Sequence, residues 1–237
     1  MNLRPYQNRA LDAIDSAFAE VNSALIVMAT GTGKTIVMSA LADREIRRGG
    51  RVLILAHRAE LINQAVDKLH RATGIAAGIE MADLCSDTDV ETPPYMVVVG
   101  SVQSMCRPTR LARFHHDDFT LVMIDECHHA LADTYRSVVN HFSTAKLLGV
   151  TATPDRGDLR SLGEVFEKIA FEYSIVEAIK DGYLSPIRAQ TIPLRIDLTS
   201  VTPSSSKIAS ILREVAIRGV NTIVLRFAQR CLISRQI

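Results

Sequence analysis

The sequence predicts an α/β fold, a mostly parallel sheet with helices on both faces. Three observations lead there. The apolar run Ala24-Leu25-Ile26-Val27 breaks at Met28-Ala29-Thr30-Gly31-Thr32-Gly33-Lys34-Thr35 and re-enters a helical pattern from Ile36. Strand, helix, the Gly49-Gly50 turn and the strand Val52-Leu53-Ile54-Leu55-Ala56 then make a βαβ unit, whose crossover is nearly always right-handed. Finally, the buried-strand run Leu121-Val122-Met123-Ile124 carries Asp125 and Glu126 at its carboxyl end, where open α/β sheets take their ligands.

Taken in order, the chain first places Leu11, Ile14 and Phe18 at helical spacing, and Pro5 suits a first helical turn, so residues 6–18 predict a helix. Arg4 and Gln7 stand at its start. Taken alone they are solvated polar residues, but beside a bound nucleotide the Gln7 amide offers the donor and acceptor that an adenine edge requires. His57-Arg58-Ala59-Glu60-Leu61 leaves the second strand and opens another helix, where Arg58 and the helix N-terminus suit a nucleic-acid phosphate or simply a surface loop. Residues 73–94 read as a variable connection with one short strand around Ile79. Tyr95-Met96-Val97-Val98-Val99 is a strand, followed by Gly100-Ser101-Val102-Gln103-Ser104, whose hydroxyls and amide can donate to phosphate, while a helix cap at Ser101 explains the pattern equally.

Lys146-Leu147-Leu148-Gly149-Val150 is a further strand, closed by Thr151-Ala152-Thr153-Pro154. Residues 168–173 and 186–194 read as strands around a helix over 175–181. The first domain is therefore expected over residues 1–198, a Pro- and Ser-bearing linker over 199–207, and the start of a second domain over 208–237.

With 237 residues, 47% of them hydrophobic, the chain has ample material for a core, and a net charge of +1 gives no global basic signature. Any nucleic-acid contact must then be local. Cys85, Cys106, Cys127 and Cys231 are widely spaced, which favours reduced thiols over a disulfide or zinc framework. No signal-like start or bilayer-length apolar run occurs, so a cytoplasmic protein without a membrane partner is expected.

The chemistry concentrates at two places. Glycines let successive backbone N–H groups converge on an anion at a helix N-terminus, so Thr30, Gly31, Thr32, Gly33, Lys34 and Thr35 read as a phosphate-binding loop. The general pattern asks for glycine where this chain has Met28, but the tighter T-G-x-G-K-T form is intact. Lys34 would meet the β/γ-phosphates, and the Thr35 hydroxyl would take a position on Mg²⁺. Asp125 would bind the same ion and Glu126 would accept a proton from the attacking water. His128, Thr151 and Thr153 stand where nucleotide state can be relayed, although a helix-start histidine and an ordinary turn account for them as well. His115-His116-Asp117-Asp118 reads as a solvated loop.

Together, Leu3-Arg4-Pro5-Tyr6-Gln7, the loop through Gly33-Lys34-Thr35, His57-Arg58-Ala59-Glu60-Leu61, Asp125-Glu126-Cys127-His128 and Thr151-Ala152-Thr153 resemble the ordered motifs of superfamily 2 helicases and translocases, in the DEAD/DEAH-like branch that includes the helicase subunits of type III restriction enzymes. The resemblance spans residues 3 to about 195, with residues 125–128 as a DECH box. It implies a RecA-like P-loop NTPase domain using ATP and Mg²⁺, Arg4 and Gln7 at the adenine, and a nucleic-acid track, DNA in preference to RNA, touched by Arg58, Ser101, Gln103 and Ser104. Such motors carry a second RecA-like domain with an arginine finger in a Gln-x-x-Gly-Arg-x-x-Arg type motif, and that motif does not occur in these 237 residues. The chain is therefore expected to be incomplete as a motor. A missing finger costs on the order of 10³ in turnover, so it should bind ATP and hydrolyse it poorly. An RNA helicase domain and a nucleotide-gated binding module without motor activity are the competing readings. A phosphate-loop kinase or GTPase leaves the acidic tetrad and Thr151-Ala152-Thr153 unexplained.

Overall fold

The computed structural model describes residues 2–86, 95–127, 132–152 and 162–187. The chain divides into two units, Met1–Leu184 and Ser185–Ile237. Of the second unit only residues 185–187 are described, without a regular element. The expected boundary at 198, the linker 199–207, the segment 208–237 and most of the strand expected over 186–194 therefore lie outside the described residues.

In the first unit, the described strands are β1 Ser23–Met28, β2 Val52–Ala56, β3 Ala77–Glu80, β4 Val97–Ser101, β5 Leu121–Asp125, β6 Lys146–Thr151 and β7 Lys168–Tyr173. They form one sheet in the order β3-β4-β2-β5-β6-β1-β7, and every pairing is parallel. The described helices are α1 Pro5–Phe18, α2 Lys34–Arg47, α3 Ala59–Thr73, α4 Val102–Met105, α5 Pro108–Leu111, α6 Asp133–His141 and α7 Ile175–Lys180. This is the parallel α/β architecture that the pattern predicts, and it agrees with the RecA-like fold that the resemblance implies. Among the described residues no helix is long and apolar enough to cross a membrane.

A parallel sheet covered on both faces needs strands that are apolar throughout, and β1 and β2 are buried at every position. Successive side chains then divide between two cores. Ala24, Ile26 and Met28 of β1, Val52 and Ile54 of β2 and Leu121 and Met123 of β5 pack with α1, α2 and α3 through Leu11, Ile14, Leu41 and Ile62. Leu25, Val27, Leu53, Leu55, Val122 and Ile124 face the opposite core, with Met105 of α4, Leu111 of α5 and Val138 of α6. β4 runs two residues further than the sequence pattern indicates, because Gly100 and Ser101 pair with Leu55 and Ala56 of β2.

Register decides where the polar ends of these strands meet. Asp125 of β5 lies opposite Val150 of β6, and Thr151 of β6 lies opposite Val27 of β1. The carboxyl ends of β5, β6 and β1 are thus level, and the loop after β1 and the acidic pair after β5 belong to one edge. The sheet also needs Gly149 in β6: a Cβ there would stand 2.4 Å from Cζ of Phe166, a ring only 5% exposed in the second core. Gly149→Ala is expected to lower stability by about 1–3 kcal/mol through overpacking, with part of the loss recovered by Phe166→Leu in the same chain. An unchanged urea midpoint for Gly149→Ala would contradict this packing.

Candidate nucleotide site

The loop between β1 and α2 departs from ordinary backbone at two positions. Gly31 and Gly33 have φ of +87° and +86°, values open to glycine and costly for other residues. Gly33 is the N-cap of α2, so the helix begins at Lys34 and its first N–H groups are left for a ligand. Thr32 is fully buried. Its N–H and Oγ1 donate to the Ala29 carbonyl at 3.2 Å and 2.6 Å. Its own carbonyl accepts from the Tyr6 hydroxyl at 2.7 Å and from Nε2 of Gln7 at 3.2 Å. Tyr6 in turn stacks on Tyr173 of β7 with centroids 4.3 Å apart, and the Tyr173 carbonyl accepts from the Ala29 N–H. The loop is clamped by α1 on one side and by β7 on the other, while Thr30 stays exposed.

Across the strand ends, Lys34 Nζ stands 3.7 Å from Oε1 of Glu126, with the lysine side chain 11% exposed. Glu126 adopts a φ of +51°, a conformation that costs a non-glycine residue free energy and gathers at functional sites. Its N–H donates to Oδ1 of Asp125 at 3.0 Å. Burial, and next the negative charge of Glu126, push the Asp125 carboxyl above its usual range, with the Lys34 ammonium opposing. Burial likewise pushes the Cys127 thiol up, so that it stays protonated. A buried carboxylate beside a second one favours a cation, and hard oxygen donors such as those of Asp125 and Thr35 suit Mg²⁺. Thr151 is buried at the end of β6. His128 and Thr153 lie outside the described residues.

Beside the loop opens a cavity of about 400 Å³, lined by Arg4, Gln7, Gly31, Thr32 and Gly33 together with Asn2, Ile36, Arg71 and Ala72. The two residues that sequence alone left as a helix start therefore sit on a pocket wall continuous with the phosphate loop. Gln7 is buried and doubly engaged, since its Oε1 also accepts from the Arg4 N–H at 2.9 Å. An amide has two donors and two acceptor sites, so one N–H and one lone pair remain for a base. Arg4 packs its guanidinium over the Tyr183 ring at 5.0 Å.

The candidate track residues separate into two kinds. Arg58, the N-cap of α3, and Gln103, in α4, are exposed. Nε2 of Gln103 reaches Nδ1 of His57 at 3.0 Å and the His57 carbonyl at 3.3 Å, so it joins the ends of β2 and β4. Ser101 and Ser104 are buried. Oγ of Ser101 accepts from the Ser104 N–H at 3.1 Å, the helix-cap alternative, and the Ser104 hydroxyl accepts from the Ala82 N–H. They support the surface on which Gln103 stands.

The family described as type III restriction enzyme, res subunit, matches residues 1–156, which contain the loop, the acidic pair and the pocket. The chain belongs to this family. It is 32% identical over 241 residues to the putative ATP-dependent helicase IRC3 of Saccharomyces cerevisiae, covering 94% of this chain and 34% of that protein. To the type I restriction enzyme EcoAI endonuclease subunit of Escherichia coli it is 28% identical, covering 86% of this chain and 26% of that one. It thus spans a quarter to a third of the length of these curated relatives. The crystal structure of the UvsW helicase from bacteriophage T4 has the same fold, with a TM-score of 0.57 at 21% identity over 73% of this chain and 61% of the other. The first unit therefore holds this family's matched region in a fold also seen in a helicase.

Sequence reasoning missed the contributions to this site from further along the chain. Arg71 lines the cavity, Tyr173 stacks on Tyr6 and Tyr183 lies beneath the Arg4 guanidinium, all through tertiary packing, and an isolated aromatic or arginine gives no local signal of that. The clamp on Thr32 makes a separable prediction. Tyr6→Phe keeps the stack on Tyr173 and removes two hydrogen bonds, the one donated to the Thr32 carbonyl and the one accepted from Arg4 Nη1 at 3.2 Å, so it should cost about 1–2 kcal/mol. Tyr6→Ala empties a buried ring and should cost roughly 3–5 kcal/mol. Equal losses for the two variants in chemical denaturation would show that the hydroxyl does nothing for the loop.

Proposed function

We propose that this domain binds ATP with Mg²⁺ and couples its binding and hydrolysis to movement on nucleic acid, as the first motor domain of a DNA helicase or translocase. The observation that carries the reading is the approach of Lys34 to Glu126 at 3.7 Å, beside Asp125 and at the head of a glycine-shaped loop. In this reading the N–H groups of residues 30–35 and the Lys34 ammonium hold the triphosphate, so nucleotide entry replaces the Lys34–Glu126 pairing by a phosphate contact. Asp125 and Thr35 would hold Mg²⁺, which supplies charge neutralisation of the phosphates and draws on the carboxylate that burial makes reluctant to ionise alone. Glu126 orients the attacking water and takes its proton. Arg4 and the free edge of Gln7 receive adenine. His128, Thr151 and Thr153 relay the state of the site.

Arg58 and Gln103 form the nucleic-acid contact, with Ser101 and Ser104 beneath them fixing the turn into α4. DNA is the preferred track, since the curated relatives include a restriction endonuclease subunit. A second RecA-like domain, supplied elsewhere, adds the arginine finger that completes the cleft, and the much greater length of the relatives supports this. A cytoplasmic setting is part of the reading.

Three experiments test it. Lys34→Ala should abolish most affinity for a fluorescent ATP analogue in Mg²⁺, and unchanged binding would sink the phosphate-loop assignment. Gln7→Ala should erode the preference for adenine over guanine nucleotides, while equal loss of both would leave Gln7 a purely structural role. Hydrolysis should be slow in the isolated chain, and stimulated by duplex DNA once a second motor domain is fused or added in trans. Glu126→Gln should then keep ATP binding and reduce the stimulated rate by a factor of about 10² or more. Stimulation by RNA alone would favour the RNA-helicase reading, and binding without any stimulated turnover would favour a nucleotide-gated binding module.

A further inference from the structure

The loop that enters β5 carries a second group of metal-type donors, whereas the nucleotide edge lies where that strand ends. His115, His116 and Asp117 are exposed, and one ligand atom from each, imidazole nitrogen or carboxylate oxygen, lies within 4.8 Å of the other two. In sequence the run reads as a solvated loop, because adjacent side chains diverge on a helix and alternate faces on a strand. The backbone brings them together instead. Residues 115–118 close a turn, in which the Asp118 N–H donates to the His115 carbonyl at 3.1 Å and the His115 N–H donates back to Oδ2 of Asp118 at 2.8 Å.

The turn is also anchored from outside. The His116 carbonyl accepts from the Thr144 hydroxyl at 3.2 Å, and the Phe114 carbonyl just before the turn pairs with Nε2 of His141 at 2.9 Å. Asp118 is engaged by the His115 N–H and lies 3.9 Å from Nη1 of Arg51, so it frames the set and is not a member of it. The outward groups are the two imidazole rings, 4.2 Å apart between centroids, and the Asp117 carboxylate, in contact with Nδ1 of His115.

Two imidazoles and one carboxylate suit a divalent ion of the zinc type, softer than Mg²⁺. Such an ion takes its donors at about 2.0–2.2 Å in a tetrahedron, which sets them roughly 3.4 Å from one another. Exposed side chains on a pinned turn reach that spacing by small χ rotations, with water in the fourth position. A backbone already held at both ends lowers the entropy cost of gathering them.

We propose that His115, His116 and Asp117 form a surface binding site for one divalent transition-metal ion of the zinc class, with the Asp118 carboxylate and the Thr144 hydroxyl fixing the turn beneath it. The site is independent of nucleotide and of the Lys34 loop.

The test titrates the full 237-residue chain with Zn²⁺ by calorimetry, with excess Mg²⁺ present to fill sites built of hard oxygens. One equivalent should bind. His115→Ala and His116→Ala should each weaken it by about 10- to 100-fold, the loss that removing even an outer partner of a metal ligand causes. The three side chains are exposed, so without metal the variants should keep the parent's melting temperature, which separates lost affinity from a folding defect. Co²⁺ in place of Zn²⁺ should give a visible absorption that His116→Ala loses, without the near-ultraviolet thiolate band that binding at Cys85 or Cys106 would produce. Equal Zn²⁺ affinities for the parent and both histidine variants would overturn the proposal. So would a thiolate band at the first equivalent of Co²⁺, or no Zn²⁺ uptake by the parent chain.

Discussion

The carbonyl oxygen of Thr32 accepts two hydrogen bonds from α1, one from the Tyr6 hydroxyl and one from the Gln7 amide, and much of the site depends on that pair. A phosphate loop has to expose N–H groups, so its carbonyls must turn the other way, into the protein. There a buried acceptor without donors is costly. The opening helix supplies the donors. In doing so it fixes Arg4 and Gln7 on the wall of the cavity, and through the Tyr6–Tyr173 stack it binds the loop to the edge strand β7. The glycine at 33 belongs to the same constraint: a Cβ there would stand 2.7 Å from Nε2 of Gln7. Positive φ and close approach both demand glycine at that point.

A second constraint is electrostatic. Strands buried on both faces confine polar groups to their ends, and the register of β5, β6 and β1 gathers those ends at one edge. Asp125 and Glu126 share it with Lys34. The strained φ of Glu126 lets two consecutive carboxylates point into one place where an ordinary extended backbone would send them to opposite faces. Neighbouring like charges are then tolerated because a cation is close by, Lys34 in the free domain.

How much of this is legible in the sequence depends on the range of each interaction. Strands were readable because a buried parallel strand is apolar at every position, and the phosphate loop because its glycines and Lys34 are contiguous. The order of the strands was not, since β1 and β2 are consecutive in the chain yet separated by β5 and β6 in the sheet. Ser101 and Ser104 illustrate the ambiguity of local polar patterns: hydroxyls that can greet a phosphate can also serve the protein's own backbone, and here the buried Ser101 caps α4 while the buried Ser104 hydroxyl accepts from the Ala82 N–H. Glu80 was invisible for the opposite reason. It is fully buried, and paired with Arg110 at 2.8 Å and Arg113 at 3.2 Å, an arrangement of residues thirty positions apart that no spacing rule announces.

The two halves of the proposed function meet in short elements on one face of the sheet. Gln103 reaches the end of β2 through His57, while α4, which carries it, packs against α6. In the proposed function, a shift of α4 on contact with a polymer would therefore press on α6. The reverse also holds, since coupling between two equilibria is reciprocal. Cores packed at crystal-like density transmit such displacements instead of absorbing them. A four-residue helix is a suitable element for this, because its own hydrogen bonds are few and its position is set by what it touches. The Ser101 cap and the Ser104–Ala82 hydrogen bond anchor one side of α4, which leaves the exposed Gln103 side as the one that the proposed nucleic-acid contact would move.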